Sequence, residues 1–130
     1  MKSIDVAVVG LGLAGSATAW AMSRRGHRVA AFEAYEPGHG RGSSHGHARI
    51  FRHAYLDDLY VGLAVRAGHL WDRLGAESGE PLLVRTGGVD HGPTREPERM
   101  AGLLREHGVG TELLEPGEAA RRWPGMRFDG

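Results

Sequence analysis

The sequence predicts an α/β protein built on one βαβ unit, followed by additional helices and a short β-hairpin. Three observations carry that prediction. A β-branched apolar run, Ile4-Asp5-Val6-Ala7-Val8-Val9, stops at a glycine. A helical pattern then opens within Gly10-Leu11-Gly12-Leu13-Ala14-Gly15. A second short run, Arg28-Val29-Ala30-Ala31-Phe32, ends in an acid, Glu33, 23 positions after Gly10. The 130 residues are enough for one domain, taken as 1–130.

The first run is apolar on both alternating faces, as a buried parallel strand must be when helices cover its sheet. Ala14, Ala17, Ala21 and Met22 then recur at helical spacing, and Gly26 supplies a left-handed stop after Arg25. The second strand is expected over Val29–Glu33. A bare G-x-G-x-x-G carries little weight in a chain with 21 glycines. Its place between a strand and a helix, with an acid at the next strand's end, makes it a Rossmann-like dinucleotide fingerprint. Gly10 permits the tight turn, Gly12 lets the main chain approach a diphosphate, and Gly15 allows the helix to lie close to the strand. Amides at the helix start, including those of Leu13 and Ala14, face the diphosphate, and the helix dipole favours its charge. Glu33 suits a ribose with a free 2′-hydroxyl. These features are common to FAD and NAD sites, which share the ADP half.

Downstream, Leu59, Tyr60, Leu63, Ala67, Leu70, Trp71 and Leu74 trace one apolar stripe, with Arg66, Asp72 and Arg73 opposite. This predicts an amphipathic helix with Trp71 in its core-facing stripe. Leu82-Leu83-Val84 and Gly87-Gly88-Val89 read as two short strands of a hairpin. Pro97 opens a helix with Met100, Leu103 and Leu104 inward and Gly108 at its end. Leu113-Leu114 reads as a strand, and a last short helix runs from Pro116 until Pro124 stops it. A doubly wound sheet needs several parallel strands, and only two are found here, so the fold is expected to be truncated at Gly130.

Composition excludes several classes. Sixteen basic residues balance sixteen acidic ones, without the excess that nucleic acids or anionic membranes demand. Lys2 is the single lysine, the other basic residues being Arg. With no Cys, disulfides, thiolate metal sites and a thiol nucleophile are excluded within these residues. His39, His45, His47 and His53 lack a carboxylate at firm ligand spacing, and no metal site is expected. The apolar amino terminus superficially resembles a secretory signal, but Asp5 and the glycines argue against a signal helix or a membrane span. It is expected to start a cytoplasmic fold.

A second motif follows at Gly42-Ser43-Ser44-His45-Gly46-His47-Ala48-Arg49-Ile50-Phe51-Arg52-His53-Ala54-Tyr55. With the glycine fingerprint and Glu33, it resembles the flavin-dependent amine oxidases of the monomeric sarcosine oxidase and N-methyltryptophan oxidase family. The resemblance continues through Leu59-Tyr60-Val61, His69-Leu70-Trp71-Asp72, Thr86-Gly87-Gly88-Val89, Leu113-Leu114-Glu115 and Arg121-Arg122-Trp123-Pro124-Gly125. It implies FAD as cofactor, bound by Gly10, Gly12, Leu13, Ala14, Gly15 and Glu33. It further implies a secondary amine substrate with O2 as acceptor, and a chain that is the amino-terminal part of an FAD-dependent oxidoreductase domain, lacking a carboxy-terminal portion or partner chain.

By the same resemblance, Arg49 lies beside the flavin ring and Arg52 helps hold a substrate carboxylate. Ser43, Ser44 and His45 line the flavin, with His45 and the two arginines as the catalytic set. At His47 and Ala48 family members often carry an acidic or small residue followed by Thr or Ser, so a side-chain hydrogen bond there is altered. From spacing alone, Arg49 and Arg52 read rather as solvated neighbours on one helical turn, and it is the resemblance that reverses this preference. Two other functions stay open from the residues: a non-catalytic dinucleotide-binding module, and an NAD-dependent dehydrogenase.

Overall fold

The structure, a computed structural model, describes residues 3–46 and 49–128. It divides into two compact units, Met1–Ile50 and Phe51–Gly130. In the first, strand β1 (Val6–Val9) is followed by helix α1 (Leu13–Arg24) and strand β2 (Val29–Phe32). The strands pair in parallel, with Val6 opposite Val29 and Val9 opposite Phe32. Gly10 N–H continues the ladder by donating to the Phe32 carbonyl at 2.8 Å. The other end is closed by Arg28, whose guanidinium donates to both Asp5 oxygens at 3.1 and 2.8 Å while its amide donates to Asp5 Oδ2 at 2.8 Å. Asp5, the one charge in the apolar run, is therefore a clasp at the strand entry, and Arg28 holds its carboxyl below the ordinary value.

Helix α1 packs against both strands. Gly26, with φ +85°, provides its left-handed stop and donates its amide to the Ser23 carbonyl at 2.9 Å. The expected strand boundaries shorten slightly: Ile4 and Asp5 precede β1, and Glu33 stands just beyond β2. Val8 is buried, whereas Val9 and Phe32, at the carboxyl ends of the strands, are 86% and 56% exposed.

In the second unit, helix α2 (Asp58–Ser78) is capped by Asp57, which accepts from the Tyr60 amide at 3.2 Å. It ends at Gly79. A 3-10 turn over Pro93–Arg95 leads into α3 (Pro97–Glu106), and α4 (Pro116–Arg122) follows. Val61, Met100 and Leu104 form the core, with Tyr55, Leu56, Val65 and Leu103 packed around them. His107, just past α3, reaches Asp58 at the start of α2 with an Nε2–Oδ1 distance of 2.8 Å. The apolar stripe expected to face the core does not. Helix α2 buries Val61, Ala64 and Gly68, while Leu59, Tyr60, Leu63 and Leu70 are exposed, because α3 packs on the neighbouring face through Met100 and Leu104. Trp71 is half-buried in a shallow groove with Gly75, Pro81 and Leu82.

The expected hairpin does not form. Residues 81–90 are irregular, and among the described residues β1 and β2 make the only sheet. Each apolar run there is too short to build a ladder, Gly87 turns the chain with φ +75°, and Val84 is 74% exposed. Arg85 instead reaches back to Asp72 at 2.5 Å. Leu113-Leu114 likewise forms no strand; the neighbouring Glu112 takes a bidentate pair from Arg122 at 2.7 and 2.8 Å, tying the segment to α4.

Candidate functional site

The site begins with backbone geometry at the end of β1. Gly10 turns with φ +88°, a conformation that a side chain would disfavour. At Gly15 a Cβ would overlap the Gly10 carbonyl oxygen and lie 3.0 Å from its carbon and 3.4 Å from Val8 Cγ1. The helix can approach the strand so closely only because position 15 has no side chain. A Cβ on Gly12 would lie 3.1 Å from Ser44 Oγ, so the turn is also open to what stands above it.

Two groups meet this turn. Ser44 Oγ accepts from the Leu13 amide, the first of α1, at 2.9 Å and so caps the helix from 31 residues downstream. The Ala14 and Gly15 amides take no acceptor from the described residues, as first-turn amides must find theirs outside the helix. Glu33 supplies the second group. Its Oε2 accepts from Leu11 N at 2.8 Å, while Oε1 accepts from Ala34 N at 2.7 Å and Tyr35 N at 3.3 Å. The Leu11 and Ala34 amides, then that of Tyr35 and the nearby His39, hold its carboxyl below the ordinary value of 4.5, so it is an anion at neutral pH.

Thus Gly10, Gly12, Leu13, Gly15, Glu33 and Ser44, all expected at one site, share one small region of the first unit. Sequence reasoning foresaw neither Glu33's bond to the Leu11 amide nor the surroundings of Glu33. His39 Nε2 stands 3.4 Å from Glu33 Oε1, the His39 ring meets Tyr35 edge-on at 5.0 Å, and Arg41 lies over Tyr35 at 4.8 Å. No periodicity marks these positions; the acid followed by an aromatic and a histidine is the one signal that was readable.

The loop from Gly42 to Ile50 is held by its own side chains. Arg49 donates to the Ser43 and His45 carbonyls, and His45 Nδ1 donates to the Gly42 carbonyl, which can only accept. His47 and Ala48, where the motif departs from its pattern, lie outside the described residues. Arg52 belongs to the second unit, with its guanidinium 4.9 Å from the Tyr55 ring centre. Residues 49–53 are not helical, which overturns the reading of Arg49 and Arg52 as neighbours on one helical turn. Among the described residues, no three of His, Asp and Glu gather as a metal-holding group, and no helix is long and apolar enough to cross a membrane.

Strand, glycine turn, close-packed helix and terminal acid define an α/β protein of the dinucleotide-binding class. The model of the DAO family, described as FAD dependent oxidoreductase, matches residues 5–130, and the chain belongs to that family. Over 129 residues it is 37% identical to a monomeric sarcosine oxidase of Arthrobacter sp. (strain TE1826), covering 96% of this chain and 33% of that enzyme. It is 37% identical over 126 residues to a monomeric sarcosine oxidase of Bacillus sp. (strain B-0618), covering 94% and 32%. An N-methyl-L-tryptophan oxidase of Salmonella arizonae is 36% identical over 126 residues, covering 95% and 34%. The chain spans about a third of the length of these relatives.

Proposed function

We propose that these residues form the FAD-binding portion of an amine oxidase acting on N-methyl or cyclic secondary amino acids, with O2 as acceptor and an imine and hydrogen peroxide as products. A cytoplasmic location goes with this reading. The observation that carries it is the ordered region around the glycine turn, where bare main chain at Gly12 and Gly15 meets first-turn amides and the ionised Glu33. These residues fit an adenine dinucleotide. Gly10, Gly12, Leu13, Ala14 and Gly15 would cradle the diphosphate, with Ser44 at the Leu13 amide and Ser43 along the flavin, and Glu33 would receive ribose hydroxyls. The choice of FAD over NAD is supported by the family and by the two named oxidase activities.

When bound, FAD would supply the two-electron acceptor for oxidation of the C–N bond. Arg49 would add a fixed positive charge beside the ring, stabilising negative charge as it develops there. Its bonds to the Ser43 and His45 carbonyls would orient it, together with His45, in the loop. Arg52 offers a planar fork suited to a substrate carboxylate.

Titration with FAD, ADP and NADH, followed by a peroxide assay with sarcosine, tests this reading. The expected result is saturable FAD and ADP binding with little or no turnover by the 130-residue chain. Robust peroxide release by that chain alone contradicts its being a portion of the catalytic unit. Saturable NADH binding without flavin affinity replaces the reading with a dehydrogenase.

A further inference from the structure

We propose that His39 is a positioning residue for cofactor recognition: it helps fix the Glu33 carboxylate so that Oε2 is left to receive a ribose hydroxyl. The inference rests on the dinucleotide reading above and adds a residue to it.

A carboxylate has about four acceptor positions. At Glu33 the Ala34 and Tyr35 amides donate to Oε1 at 2.7 and 3.3 Å, and His39 Nε2 stands beside that same oxygen at 3.4 Å. Oε2 holds one partner, the Leu11 amide at 2.8 Å. The remaining acceptor capacity therefore lies on the oxygen beside the glycine turn. His39 is itself oriented. The Arg41 amide donates to its Nδ1 at 3.0 Å, so Nδ1 carries a lone pair and the neutral ring keeps its proton on Nε2, the nitrogen near Glu33.

Shielding distinguishes this pair from an ordinary surface contact, since the His39 and Glu33 side chains are only 24% and 20% exposed. The last torsion of a glutamate is broad, so a neighbour that occupies one oxygen narrows the orientations of the other. Removing His39 frees the carboxylate to share its acceptors differently. A ribose hydroxyl then loses a fixed partner, while the diphosphate keeps its amides.

Calorimetric binding of ADP and 2′-deoxy-ADP to the wild-type chain, His39→Leu and His39→Gln separates these effects. Wild type is expected to prefer ADP by on the order of tenfold, the worth of one charge-assisted hydrogen bond. His39→Leu should compress that preference to about threefold or less. His39→Gln, whose amide can accept from Arg41 N and donate to Glu33, should restore most of it. Equal weakening of both nucleotides in His39→Leu, with their ratio unchanged, marks a merely structural role and overturns the proposal. Imidazole nitrogen spectra of the ligand-free chain give a second readout: His39 protonated at Nε2 is expected, and a ring protonated at Nδ1 alone overturns the proposal whatever binds. If wild type binds neither nucleotide, the dinucleotide reading fails and takes this proposal with it. A wild-type preference that persists in His39→Leu removes the proposal alone.

Discussion

Glu33 shows how one side chain can join a strand end to a ligand-binding turn. Its carboxylate bonds to amides on both sides of the site, so its ionised form is favoured in the folded chain. Because the folded value lies below the ordinary 4.5, its contribution to stability is present above that pH and disappears as pH falls through the folded value. Wild type should therefore be more stable than Glu33→Gln at pH 6, with the gap closing as the solution is taken below pH 4.5, as read from urea midpoints of both chains. A gap that stays constant across that range removes the proposed ionic role. Asp5 is also held below its ordinary value, chiefly by Arg28, but this acid dependence is common to both chains and cancels in the comparison. The identity and spacing of Glu33 were legible in the sequence because they follow from strand length and helix length. Ser44 at the Leu13 amide was not placed by the same reasoning, since a contact across 31 residues depends on the path of the intervening loop.

Among the elements, the junction of β1 and α1 has the least room for change. A methyl group at position 15 meets the Gly10 carbonyl directly, and the neighbour is backbone rather than the end of a flexible side chain. Gly15→Ala should cost roughly 1–3 kcal/mol or more, measured by denaturant unfolding, and should weaken ADP binding by moving the turn. An unchanged unfolding midpoint would sink this account of the close packing. Helices α2 and α3 were legible as elements, and α3 also in its inner face and in Pro97 at its start, because these are local features. The face that α2 buries was not, since Val61, Ala64 and Gly68 are buried where Leu59, Tyr60, Leu63 and Leu70 were expected. The hairpin expectation failed because an apolar run of three residues says nothing about whether a partner strand is present.

For the molecule as a whole, the described core is modest. The first unit buries Val8 but leaves Val9 and Phe32 largely exposed, while the second centres on Val61, Met100 and Leu104. Two strands give a sheet too small to cover its own apolar ends, and such surface promotes association. Val9→Thr should lower concentration-dependent association of the 130-residue chain, measured by light scattering, without altering the helical content seen by circular dichroism. Association that is indifferent to the substitution places the sticky surface elsewhere.

The sequence by itself determined the order of strand, glycine turn, helix and acid, the proline and glycine boundaries of the last two helices and the family resemblance, because each depends on local conformational preference or on residue spacing. Only the tertiary structure decided that Ser44 caps the first helix, that His39 stands beside Glu33, and that the apolar segments after α2 pair with no strand among the described residues. Those outcomes depend on where distant backbone comes to rest, and short-range periodicity holds no record of that.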